Sequence, residues 1–247
     1  MPLAYSDVLY DNGPMSTGTT HSAGTVAPSG TTWSEIQSNS SGTNGTLGYS
    51  VNYTNTTSIG SNHQADDFTV GPGGWTVSGF TVYGFRSGGG TAEQYTSGVL
   101  RIWNGVPGAS GSNIIAGDLT ANILQSTTFT NIYRTGRSSG STTRPIMAVN
   151  LQFAAPVTLA EGTYWMDYGL TSGGTTFAPL VTRVGEIQPA GANAMFFTSG
   201  QWFTMTDTNS GSKMELPFQV LGTPVPEPAT LLVLGLGIYT ASRRRKV

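Results

Sequence analysis

The clearest pattern along the chain is a two-residue alternation of apolar and polar positions, broken at close intervals by Gly, Pro and Asn-Gly. That is the mark of short β-strands, because successive side chains of a strand point to opposite faces. Gln64 to Val70 reads as a strand ending at the turn Gly71-Pro72-Gly73-Gly74. Trp75 to Phe85 is apolar at both parities, with Trp75, Val77, Gly79, Thr81, Tyr83 and Phe85 on one face and Phe80 and Val82 on the other. A strand buried on both faces lies in the middle of a layered fold. Val99 to Trp103 alternates cleanly and runs into Asn104-Gly105, the favoured dipeptide of a tight hairpin. Further strands are predicted over 127–134, 146–153, 163–170, 194–197, 202–205 and 216–221, with Pro156 and Glu161-Gly162 as breaks.

Roughly nine or ten strands with this punctuation predict an all-β fold, an antiparallel β-sandwich of jelly-roll-like layout over residues 64–222. Residues 1–63 are Ser-, Thr-, Gly- and Asn-rich with isolated apolar residues. They read as a loop-rich segment packing on the sandwich. Residues 223–247 are different again. A proline-spaced stretch, Thr223 to Pro228, precedes the uncharged run Ala229 to Ser242 and then Arg243, Arg244, Arg245 and Lys246. The apolar residues of that run cover its whole circumference, so it is expected to be a lone hydrophobic helix that does not dock on the body. The prolines at 224, 226 and 228 are expected to separate it from the last strand.

Composition narrows the function classes. Only 10% of residues are charged against about a quarter in a typical soluble domain, while Gly, Ser and Thr make up roughly two fifths of the chain. The aromatic content of 10% supplies enough apolar surface for a core, which excludes simple disorder. The net charge of −2 hides an asymmetry: up to Ser242 the body carries 7 basic and 13 acidic residues. Such a body offers no footprint for nucleic acid. With no cysteine there is neither a disulfide framework nor a thiol nucleophile.

The tail resembles the PEP-CTERM sorting domain of Gram-negative bacteria. The resemblance rests on Val225-Pro226-Glu227-Pro228-Ala229-Thr230, the apolar run from Leu231 to Ala241, and the cationic end Arg243 to Lys246. It implies recognition of Pro226, Glu227 and Pro228 by an exosortase, a membrane-embedded processing enzyme with a thiol nucleophile. It also implies association with exopolysaccharide and biofilm matrix. The four terminal cations are expected to stay on the cytoplasmic side of the inner membrane and halt export there. As a helix the 14-residue run spans about 21 Å, short of a hydrocarbon core of roughly 30 Å. Snorkelling of Arg243 and local thinning of the bilayer cover part of that difference. The first residues, Met1 to Ser6, carry no basic cluster followed by an apolar stretch. An export tail of this kind therefore predicts an upstream in-frame start codon that encodes a signal peptide.

The body is similar to a recurring extracellular bacterial β-module of no assigned activity. The shared features are the turn Asp11 to Pro14, Ala65 to Phe68, Trp75, Leu100 to Gly108, Tyr133-Arg134, Arg144 to Ile146, Leu159 to Trp165 and Leu216 to Phe218.

A search for chemistry yields little. His21 and His63 lie in polar stretches and read as solvated loop residues. No HExxH motif is present, and no lysine follows the glycine runs, so zinc-protease and phosphate-loop readings have no anchor. Asp66 and Asp67 are adjacent on a strand and point to opposite faces, which argues against a joint acid–base pair. Turn or edge hydrogen bonds are expected for them, with Ca²⁺ ligation by one of them and loop carbonyls left open. Of the five tryptophans, Trp33 stands alone in a polar stretch and is expected to be exposed. Trp165 and Asp167 share a strand face, and with Trp33 they are the candidate glycan contacts. No cofactor or metal is expected. The reading is thus an exported surface or matrix protein without catalytic role, with a glycan-binding module and a secreted hydrolase as alternatives.

Overall fold

The structure, a computed structural model, describes residues 7–36, 44–54, 61–92, 95–183 and 185–225. The described residues are all-β and form two sheets, one of them curled into a half-barrel. The larger sheet contains β1 (Asp7–Asp11), β2 (Thr32–Glu35), β3 (Tyr49–Ser50), β5 (Trp75–Phe85), β8 (Leu124–Thr135), β9 (Pro145–Leu159), β11 (Phe177–Ala178) and β14 (Phe218–Pro224). Its main order is β1-β14-β5-β9-β8-β2. The smaller contains β4 (His63–Val70), β6 (Tyr95–Trp103), β7 (Ile114–Asp118), β10 (Gly162–Ser172), β12 (Met195–Thr198) and β13 (Gln201–Thr204), in the order β13-β12-β4-β10-β6-β7. Among the described residues every strand pair is antiparallel except β2–β8.

One core lies between the sheets. Val77, Phe80, Val82, Met147, Val149, Leu151, Phe218 and Val220 come from the larger sheet, and Phe68, Val70, Leu100, Ile102, Met166, Tyr168 and Leu170 from the smaller. A second, smaller cluster of Met15, Tyr83, Phe85 and Ile146 sits on the other face of β5 and β9. β5 therefore has apolar residues on both faces because it is covered on both. The expected faces shift at one point. Val77 packs with Phe80 and Val82, because Ser78 is an extra residue in β5: Leu221 of β14 opposes Gly79 and the next residue, Gly222, opposes Val77. A bulge of one residue reverses the alternation beyond it.

Three boundaries differ from expectation for physical reasons. Pro156 does not break β9. The register jumps from Gln152 opposite Gly79 to Val157 opposite Val77, so Phe153 to Pro156 leave the ladder and the missing proline N–H costs no bond. Asn104-Gly105 does not close a two-residue hairpin. Asn104 and Asn113 bind each other instead, at 3.0 Å (Asn104 N–H to Asn113 O) and 2.7 Å (Asn113 N–H to Asn104 Oδ1), closing a longer turn between β6 and β7. The last strand runs to Pro224, opposite Trp75, so this proline belongs to the sheet. Residues before 64 also do more than cover the fold: β1 and β2 form the two ends of the larger sheet's main order.

Candidate functional site

The polar chemistry of the body gathers at the outer face of the smaller sheet. Antiparallel partners point to one side, and Asp167 of β10 opposes Arg101 of β6 and Ala65 of β4. Trp165 likewise opposes Trp103 and Asp67. Asp167 is fully buried. Its Oδ1 lies 2.6 Å from His63 Nδ1, and its Oδ2 accepts Arg101 Nε–H at 2.5 Å and Trp103 Nε1–H at 3.1 Å. Burial alone raises the Asp167 pKa, but His63 and Arg101 outweigh it and hold the carboxyl below its usual range. The His63 ring stacks on Phe197 at 4.2 Å and meets the edge of Trp202 at 5.0 Å. The Arg101 guanidinium sits 4.8 Å over the Trp103 ring.

The β6–β7 turn reaches over this face. Gly108, at φ +78°, packs so closely on Trp202 that a Cβ there would come 2.8 Å from the indole. Trp165 is left 5% exposed.

A second cluster joins the turn after β1 to the start of β14. Asn12 Nδ2 lies 3.2 Å from Asp66 Oδ2, 3.0 Å from Glu215 Oε1 and 2.9 Å from Leu216 O. The Leu216 N–H donates to Asp66 Oδ2 at 2.7 Å, and the Asn193 N–H to Glu215 Oε2 at 3.1 Å. One oxygen each of Asp66, Asp67 and Glu215 lie within 4.8 Å of one another. Burial first and the Glu215 charge second push the Asp66 pKa well up, against the pull of the Leu216 and Asp67 N–H groups. Burial also raises Glu215. Tyr10 beside them is pushed up to about 12 by burial and then by these carboxylates.

In the larger sheet Arg134 is buried, with no carboxylate partner among the described residues. Its Nε–H donates to Leu47 O at 2.7 Å and its Nη1 to Ser34 Oγ at 3.0 Å. Burial lowers its pKa to about 9.

Several expectations are corrected here. Both histidines are buried: His63 opens β4, and His21 Nε2 lies 2.8 Å from Gly136 O. Trp33 is 2% exposed, because β2 pairs with β8 and its indole N–H donates to Thr25 O at 3.0 Å. It is on the other sheet from Trp165 and Asp167, so the three candidate glycan contacts do not converge. Asp167 has both oxygens engaged within the protein. Asp66 and Asp67 come together despite their opposite parity, because the Asp66 carboxylate folds back to accept the Asp67 N–H at 2.9 Å. Arg101 and His63 were not singled out as partners of Asp167. The available signal was an Arg and an Asp at alternating positions of two strands in a chain with so few charges.

The expected helix at 229–242, Pro226, Glu227 and Pro228, and Arg243, Arg244, Arg245 and Lys246 all lie outside the described residues. Among the described residues no helix is long and apolar enough to cross a membrane. At the end of β14 Pro224 opposes Trp75, and the Val225 N–H donates to Gly74 O at 3.0 Å.

Compared with known families, residues 224–246 match the PEP-CTERM protein-sorting motif. The motif implies an exported, membrane-sorted protein that is processed by an exosortase. The match leaves the preceding module unassigned. Among curated proteins and among solved structures, no match is found.

Proposed function

We propose that this chain is a non-catalytic surface or extracellular-matrix protein of a Gram-negative bacterium. It is held in the inner membrane as a precursor and cut by an exosortase at Pro226-Glu227-Pro228. Its two-sheet domain then resides in exopolysaccharide. The observation that carries this reading is the sorting motif itself, contiguous with the end of β14. The absence of a catalytic role is supported by the pairing of Asp167 with His63 and Arg101.

The test is intact mass and cell fractionation in a host with an exosortase. The Glu227→Ala variant is expected to remain uncleaved and membrane-retained, with the wild type recovered outside the inner membrane and lacking Arg243 to Val247. Normal processing of the variant refutes the reading.

A glycan-binding role in the same location is the second reading. It is favoured by Trp103 and Trp202, which stay half-buried around the β6–β7 turn, and by Phe203, which is 47% exposed. Retention of the purified domain on the host's exopolysaccharide, lost in Trp202→Ala, distinguishes it from passive residence.

A further inference from the structure

The sorting motif and the folded domain share residues. Pro224 is the first residue of the motif match and the last of β14, and Val225 is still bonded to Gly74. Pro226 follows directly in the sequence. A residue advances the chain by at most about 3.6 Å, so Glu227 is no more than about 7 Å from Val225. An enzyme that seats Pro226-Glu227-Pro228 in its cleft is much larger than that gap. It must either meet the pole of the domain from which the chain leaves, or unpair the end of β14.

Two short turns form the pole, residues 71–74 between β4 and β5 and residues 160–161 between β9 and β10. They are packed on each other: at Gly74, with φ +83°, a Cβ would come 2.6 Å from Leu159 O. Pro72, Gly73, Ala160 and Glu161 are exposed there, beside Asp7, whose strand partner is Gly222. None of these exposed residues is a cation. Unpairing is disfavoured on the other side. Gly222 is buried between β1 and β5, with room for no Cβ beside Thr76 O, so fraying back to it disturbs both neighbours.

We propose that this pole, the turns 71–74 and 160–161 with the paired end of β14, is the surface on which the exosortase docks, and that the enzyme acts on the folded domain. The proposal rests on the sorting reading of the tail and adds the surface that the enzyme touches beyond its motif.

The experiment uses the full chain in a host with an exosortase, with cleavage followed by pulse–chase and intact mass. A double variant, Pro72→Arg with Ala160→Arg, places bulk at two exposed positions, and thermal melting checks that the domain is unchanged. Cleavage is expected to slow at least fivefold. A six-residue Gly/Ser insertion between Val225 and Pro226 in the same variant is expected to restore it to within twofold of wild type. Unchanged cleavage in the double variant overturns the proposal, as does slowing that the insertion fails to relieve. Faster cleavage in Thr223→Gly, which loosens the strand end, also overturns it, because the enzyme then acts on unpaired chain. Failure of the sorting reading gives a different result: Glu227→Ala is processed like the wild type.

Discussion

Replacing Asp167 with Ala removes the acceptor shared by His63, Arg101 and Trp103, which lie on the two strands that flank β10. Breaking a buried ion pair from one side costs about 3–5 kcal/mol, because the partner charge is left without compensation. Here the Arg101 side chain is 17% exposed and can turn toward water, which places the cost near the lower end, at about 3 kcal/mol. With a urea m-value of about 3 kcal/mol/M, the midpoint falls by about 1 M. The assay is urea unfolding at pH 7 followed by tryptophan fluorescence. The effect has a defined pH dependence. The folded-state pKa of Asp167 lies below the unfolded one, so its stabilisation is present at neutral pH, above the unfolded carboxylate value of about 3.9. It is lost as pH falls through the folded value. The gap between wild type and variant therefore narrows in acid. A midpoint within about 0.2 M of wild type at pH 7 refutes the assigned role, since that change is what a surface substitution gives.

Asp66 has the opposite sign. Its folded pKa is raised, so it favours the native state most where the carboxyl is protonated, and that contribution declines as pH rises through the folded value. In Asp66→Asn the Leu216 N–H keeps an acceptor and the decline disappears; midpoints measured from pH 4 to 8 that run parallel to wild type would contradict this. Trp33→Ala is expected to lose about 3–5 kcal/mol in the same unfolding assay, as for other buried aromatics, and a loss under about 1 kcal/mol is incompatible with its burial.

Strands with strong alternation were legible because local sequence decides them. Trp75 to Phe85 coincides with β5 at both ends. What escaped depends on partners distant in sequence. Trp33 looks exposed among serines and threonines, yet its position is set by β8, where Trp33 lies opposite Tyr133. His63 reads as the end of a polar loop until β12 supplies Phe197 opposite it. β7 was missed, since Ile114 to Asp118 is a five-residue edge strand with Gly117 at φ +70° and a weak pattern. The Asp167 cluster was half visible. Trp165 and Asp167 share a strand face in the sequence pattern, but only the β6–β10 register sets Trp103 and Arg101 opposite them. The tail is the reverse case, because an ordered run of proline, apolar and cationic residues carries its meaning without tertiary context.

The position of β14 sets a timetable for assembly. It lies between β1 and β5, so the first strand is joined to the rest of the sheet through the last. Closing Asp7 onto Gly222 brings together positions more than two hundred residues apart, a high-contact-order step whose loop-closure entropy must be met before it yields any packing. Until residue 224 is available, β5 has a bare flank and β1 has nowhere to pair. For a chain exported in an extended state, the larger sheet is therefore completed only after residues up to 224 have crossed. Such a chain exposes unpaired strand edges during its passage, and β1, which crosses before β5 and waits for the same partner, is the one left open longest.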